Sequence, residues 1–188
     1  MANFPSSIER SLGAADGALA PPASWPERGL GLRHAAPADE PFLRDLYFDF
    51  RSEELAPTGW PPPQKRAFTD SQFDLQDRYF RASFPSADFL IVQHRQRPIG
   101  RLYIDRAVDG FLVMDIGLVS GARGRGLGRE LLEHVQGEAK RAGTPKVWLH
   151  VLEANPRAEA LYRRLGFRRV ALEGVHWRME WSTSRSYT

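Results

Sequence analysis

Residues 114–135, MDIGLVSGARGRGLGRELLEHV, constrain this chain more than any other stretch. An apolar run ends at Val119, and Gly121, Gly124, Gly126 and Gly128 crowd the positions that follow. Leu127, Leu131, Leu132, Val135 and Ala139 then recur at helical spacing. The order reads as a strand, a glycine-rich turn and a helix N-terminus. Glycines let a ligand come close to the backbone, while first-turn N–H groups and the helix dipole favour an anion there. Arg123, Arg125 and Arg129 add positive charge at the same place. Two familiar phosphate loops do not fit. A P-loop requires Lys and Ser or Thr after its last glycine, where this chain has Leu127 and Gly128. The dinucleotide fingerprint starts at Gly124 and Gly126 but meets Arg129 at its final position.

The flanking pattern predicts the rest of the domain. Residues 30–35 read as a strand, and Asp39 precedes a helix in which Phe42, Leu46 and Phe50 recur every four residues. Pro and Gly make 52–63 a loop. A helix over 64–83 follows, then strands over 89–94, 99–105 and 111–119 joined by turns at 95–98 and 109–110. Beyond the glycine turn come a helix (125–142), a strand (146–151), a helix (156–165) and strands over 167–172 and 175–181. Hairpins first and β-α-β-α-β later imply a mixed sheet with helices on both faces.

Composition narrows the class. A length of 188 residues suits one domain. In residues 1–29, Ala, Gly, Pro and Ser fill 17 positions without periodicity, which predicts a flexible tail with Phe4 or Trp25 docking locally. The domain then spans 30–188. No apolar run nears the roughly 20 residues a membrane span needs, and the first residues lack the apolar stretch of a secretory signal. A cytoplasmic location is the expectation. With no cysteine there is no disulfide framework, thiolate metal site or Cys nucleophile. His34, His94, His134, His150 and His176 show no ligand spacing, so no metal is assigned. Net charge is only +3, so the arginine-rich balance by itself does not define a nucleic-acid surface.

A second motif lies about 30 residues on, in LHVLEANPRAEALYRRLGFRRV. Asn155 and Pro156 read as N-cap and first helical residue, and Gly166 as the glycine that ends the helix. Ala158, Leu161 and Leu165 form its apolar stripe, with Tyr162 at the edge of that stripe, either a boundary aromatic or a group facing a cleft.

The run Arg123-Gly124-Arg125-Gly126-Leu127-Gly128 resembles the R/Q-x-x-G-x-G/A signature of the GNAT N-acetyltransferase superfamily. Asn155, Ala158, Tyr162, Gly166 and Phe167 resemble that family's N-x-x-A/S-x-x-x-Y-x-x-x-G-F pattern. The resemblance implies an α+β fold: a mixed, mostly antiparallel sheet of six to seven strands flanked by about four helices. It implies acetyl-CoA as acyl donor, with its pyrophosphate on Arg123, Gly124, Arg125, Gly126, Leu127, Gly128 and Arg129. Leu118 and Val119 would lie along the pantetheine, with one of their N–H groups as oxyanion donor and a strand bulge near Gly117. Asn155, Ala158 and Tyr162 would line the other side, with Tyr162 as general acid.

The base stays open. Asp115 interrupts an apolar strand and is either a base or an outward-facing acid, since alternation sets Met114, Ile116 and Leu118 on the opposite face. Asp105 and His150 are further candidates. The acceptor is expected to be a primary amine of a small molecule or peptide. Glu53, Glu54, Trp60, Asp70, Asp74 and Asp77 offer acidic and aromatic groups that suit a cationic one. Without cysteine, direct transfer in a ternary complex is the expected route. The alternative is a non-catalytic domain of the same shape that senses acyl-CoA or binds nucleic acid. A monomer or a homodimer is compatible with the pattern.

Overall fold

The computed structural model describes residues 17–183. The elements are β1 (Leu30–His34), α1 (Glu40–Leu55), α2 (Pro62–Ser83), β2 (Asp88–His94), β3 (Arg97–Ala107), β4 (Gly110–Leu118), α3 (Leu127–Arg141), β5 (Lys146–Leu152), α4 (Pro156–Arg164), β6 (Arg168–Glu173) and β7 (His176–Ser182). One seven-stranded sheet runs in the order β1-β2-β3-β4-β5-β7-β6. Only β4 and β5 are parallel; every other neighbouring pair is antiparallel. This is the expected α+β arrangement.

Each face of the sheet carries its own apolar layer. Leu102, Ile104, Phe111 and Val113 pack with Leu131, Leu132 and Val135 of α3 on one face. Ile91, Tyr103 and Leu112 pack with Leu43, Tyr47, Phe73 and Phe80 of α1 and α2 on the other. Burial of such side chains contributes about 1.5–3 kcal/mol each.

Helix boundaries differ from the sequence expectation where glycine and proline act locally. The predicted loop over 52–63 shrinks, because α1 continues through Leu55 before a short turn ending at Gly59, φ +66°. Pro61 and Pro62 then lead into α2, positions at which a missing N–H does no harm. At its start, α3 loses Arg125 and Gly126 to the turn, in which Gly124 and Gly126 take left-handed φ of +76° and +83°.

Residues 17–29 depart furthest from an unattached tail. Leu19 and Trp25 are buried in the layer beneath α3, Trp25 with no exposed surface. A short turn at Pro26–Arg28 delivers the chain into β1, with the Leu30 N–H donating to the Trp25 carbonyl at 2.9 Å. Phe4 lies outside the described residues. Among the described residues no helix is long and apolar enough to cross a membrane.

Candidate active site

β4 and β5 pair only through Phe111, Leu112 and Val113 against Val147, Trp148 and Leu149. Beyond that rung they part. The cause is a bulge in β4: Tyr103 pairs with Asp115 but Ile104 with Val113, which leaves Met114 extra. The bulge thus sits at Met114, not near Gly117 as the resemblance implied. It also turns Met114 to the same face as Asp115, against the simple alternation expected.

Gly117 has a different role. A Cβ there would stand 2.0 Å from Phe50 Cζ, so the missing side chain admits the Phe50 ring of α1.

The ladder with β3 decides which backbone groups face the gap. Gly100 pairs with Leu118, and the Val119 N–H donates to the Ile99 carbonyl at 2.9 Å. Antiparallel pairs alternate between bonded and non-bonded. The N–H and C=O of Leu118, and those of Ile116 two residues earlier, therefore point away from β3 toward the opening. Of the two N–H groups expected as alternatives, that of Val119 is occupied, which leaves that of Leu118 facing the opening. Ile116 was missed, because which residues face outward depends on a register that sequence does not show.

The glycine turn lies just past this strand end. Cβ atoms built on Gly121, Gly124 and Gly128 would meet nothing within 4 Å, so the loop surface is open. The three arginines diverge. Arg123 donates through Nε to the Leu118 carbonyl at 2.8 Å, pairs with Asp49 of α1 at 2.6 Å and lies over the Phe50 ring. Arg129 pairs with Glu133 at 2.8 Å. Arg125 is exposed and makes no ion pair among the described residues. The expected concentration of three free guanidiniums is therefore reduced to one.

On the far side of the gap, Asn155 caps α4 by accepting the Ala158 N–H at 3.0 Å. Ala158 packs partly buried against the α3-side core. Tyr162 is 8% exposed and stands 6.0 Å, ring to ring, from Phe167. Burial pushes its phenol pKa well above the ordinary range, and the Asp115 charge pushes it further the same way.

Asp115 is held by a buried partner. Arg101 of β3, 1% exposed, donates to it at 2.6 Å and to Gln76 of α2 at 3.2 Å, with the Tyr47, Phe50 and Tyr103 rings around the guanidinium. His150 is the first β5 residue past the last rung with β4, and Val147, Leu149 and Val151 occupy the opposite, α3-side face. His150 and Asp115 consequently border the opening from the α1–α2 side. Its Nε2 meets Glu173 Oε2 at 2.9 Å, and Trp148 stands edge-on at 5.5 Å. Asp105, at the far end of β3 opposite Leu112, is remote from the opening.

The acidic groups expected to draw a cationic acceptor are largely compensated. Asp70 pairs with Arg66, Asp74 with Arg44, Asp77 with Arg81 and Glu54 with Arg51. Trp60 packs edge-on against Phe68. The Glu53 side chain lies outside the described part.

The fold as a whole is shared with solved acetyltransferases. The PaiA N-acetyltransferase of Thermoplasma acidophilum, solved with coenzyme A, superposes with a TM-score of 0.64 at 16% identity over 81% of this chain and 98% of that one. Residues 43–167 match the acetyltransferase (GNAT) family, and the chain belongs to it. Curated relatives align over shorter stretches. Streptothricin acetyltransferase of Streptomyces lavendulae is 38% identical over 63 residues, 34% of this chain and 33% of the relative. The ribosomal protein bS18 alanine N-acetyltransferase of Escherichia coli K12 is 44% identical over 48 residues, 26% of this chain and 32% of the relative. The chain thus spans about a third of the length of these relatives.

Proposed function

We propose that the protein transfers an acetyl group from acetyl-CoA to a primary amine of a small molecule or peptide, directly in a ternary complex. The observation that carries this reading is the gap after Val113 and Leu149, with the Leu118 N–H facing it and Tyr162 buried within reach of the Asp115 charge that borders it. In the relatives, streptothricin and a ribosomal-protein alanine are the acetylated groups, both of which fit an amine acceptor.

The donor lies with its phosphates on the open glycine turn and its pantetheine along Ile116 and Leu118, as an added strand. The acceptor enters from the α1–α2 side. The amine nitrogen attacks the thioester carbon, a C–N bond forms, and the oxyanion takes the Leu118 N–H; such a donor typically contributes about 3 kcal/mol. The C–S bond then breaks and the thiolate takes the proton of Tyr162 Oη. A phenol whose pKa is raised remains protonated at neutral pH, as an acid must. The ammonium proton goes to His150, oriented by Glu173. We assign the base to His150 rather than Asp115, because Asp115 balances the buried Arg101 charge. The chain has no cysteine, so no acetyl-cysteine intermediate enters the route.

The nucleic-acid alternative gains nothing from the arginine surplus: Arg44, Arg66, Arg81, Arg163 and Arg169 are engaged with carboxylates. The deciding experiment is thiol release from acetyl-CoA against a panel of amines, polyamines, amino acids and peptides, alongside a melting shift with acetyl-CoA. Turnover with one class identifies the acceptor. The absence of both a melting shift at millimolar acetyl-CoA and any thiol release overturns the proposal.

A further inference from the structure

Glu130 places a carboxylate in the first turn of α3, beside the glycine loop. Its N–H donates to the Gly126 carbonyl at 3.0 Å, and a Cβ on Gly126 would stand 3.7 Å from Glu130 Oε1. An uncompensated negative charge there opposes any bound phosphate. The charge is compensated from outside the helix. Trp25 Nε1 and Arg28 Nη1 both donate to Glu130 Oε2, at 2.8 and 2.7 Å. They lie three residues apart at the short turn Pro26–Arg28, a spacing that puts both side chains on one side. The turn is itself anchored: Trp25 is fully buried, Leu19 is 4% exposed, and the Ala20 carbonyl meets His134 Nε2 at 2.7 Å, one turn further along α3. The Arg28 hydrogen bond and then that of Trp25 hold the Glu130 pKa below its ordinary value, keeping the carboxyl charged and paired.

We infer that Trp25 and Arg28 are positioning residues for the donor: residues 17–29 form a strap that neutralises and fixes Glu130, so that the glycine turn accepts the phosphates of CoA. The inference rests on the proposed seat of CoA on that turn. Three of its features, the buried indole, the acceptance of two donors by one carboxylate oxygen and the nearness of that carboxylate to Gly126, are independent of the family motif.

The test is CoA binding by calorimetry to the full chain and to Arg28→Ala, Glu130→Gln, the double variant and Trp25→Phe. Arg28→Ala leaves an unpaired negative charge near the phosphates and weakens CoA binding roughly threefold to tenfold, a penalty that shrinks as salt is raised. Glu130→Gln keeps an acceptor for the indole but removes the charge, so affinity holds or rises. The double variant returns to within about twofold of the wild type, because its net charge is restored. A merely structural strap gives a different pattern: Glu130→Gln weakens binding, and the double variant is no better than Arg28→Ala. That pattern overturns the inference, as does an Arg28→Ala affinity equal to the wild type. Should Trp25→Phe fail to fold, the Arg28 and Glu130 variants carry the test alone. Failure of the wild-type chain to bind CoA at all overturns the functional proposal together with this one, whereas wild-type binding with indifferent variants overturns this one only.

Discussion

The guanidinium of Arg101, 1% exposed, lies 2.6 Å from a carboxylate oxygen of Asp115 on the neighbouring strand. Removing one partner of such a pair leaves an uncompensated charge and typically costs about 3–5 kcal/mol. Asp115→Ala is therefore expected to lower stability by that amount in denaturant unfolding, and replacing both residues (Arg101→Met with Asp115→Leu) to recover most of it. Wild-type stability with abolished turnover would instead mark Asp115 as the base.

Tyr162→Phe removes one hydroxyl from a buried ring. We expect kcat to fall by about 100-fold, in the usual range for a general acid, with CoA affinity within about twofold of the wild type. An unchanged kcat would remove the acid role.

His150 Nε2 meets Glu173 Oε2 at 2.9 Å. As the base it takes the ammonium proton, so His150→Gln is expected to cut kcat by roughly 100-fold with CoA affinity within about twofold of the wild type. An unchanged kcat would show that the proton goes elsewhere.

Glu130 bears on stability as well as on the donor. Its folded pKa lies below the ordinary glutamate value, near 4.3 for an unperturbed group. The stabilisation is present above that ordinary value and is lost as pH falls through the folded one. The Tm difference between wild type and Glu130→Gln should thus shrink from neutral pH toward pH about 3. A difference that holds constant would show that the carboxylate charge is not what Arg28 and Trp25 recognise.

The β2–β3 hairpin turns through Arg95 and Gln96 at φ of +48° and +67°, left-handed values for two residues with side chains. Turns of this kind favour Asn-Gly. Arg95→Asn with Gln96→Gly should raise stability by about 1 kcal/mol, read as a Tm increase of a few degrees without change in activity.

Much of the fold was readable in local patterns. Glycine spacing and the Leu131, Val135, Ala139 stripe located α3, and Asn155 with Pro156 located the start of α4. What escaped was long-range. The Trp25 indole bonds a residue 105 positions away, and nothing around Trp25 periodically marks it as core. Within the acidic run on α2, Asp70 and Asp77 are paired by Arg66 and Arg81 four residues away on the same helix, whereas the partner of Asp74, Arg44, comes from α1 and could not be read locally. The choice between the Leu118 and Val119 amides stayed open in the sequence for a related reason: Ile99, whose carbonyl occupies the Val119 N–H, lies across a hairpin.

Met114 shows how much one residue can carry. Strand residues have only two facings, so an extra residue works as a parity bit for everything after it. Regular pairing with β3 with Met114 kept would set Met114 opposite Tyr103 and, by the same stroke, exchange the two faces downstream. Asp115 would turn under α3 and away from Arg101, and Ile116 and Leu118 would present their side chains to α1. The irregularity that opens the sheet is also what keeps its two sides in register with their separate tasks.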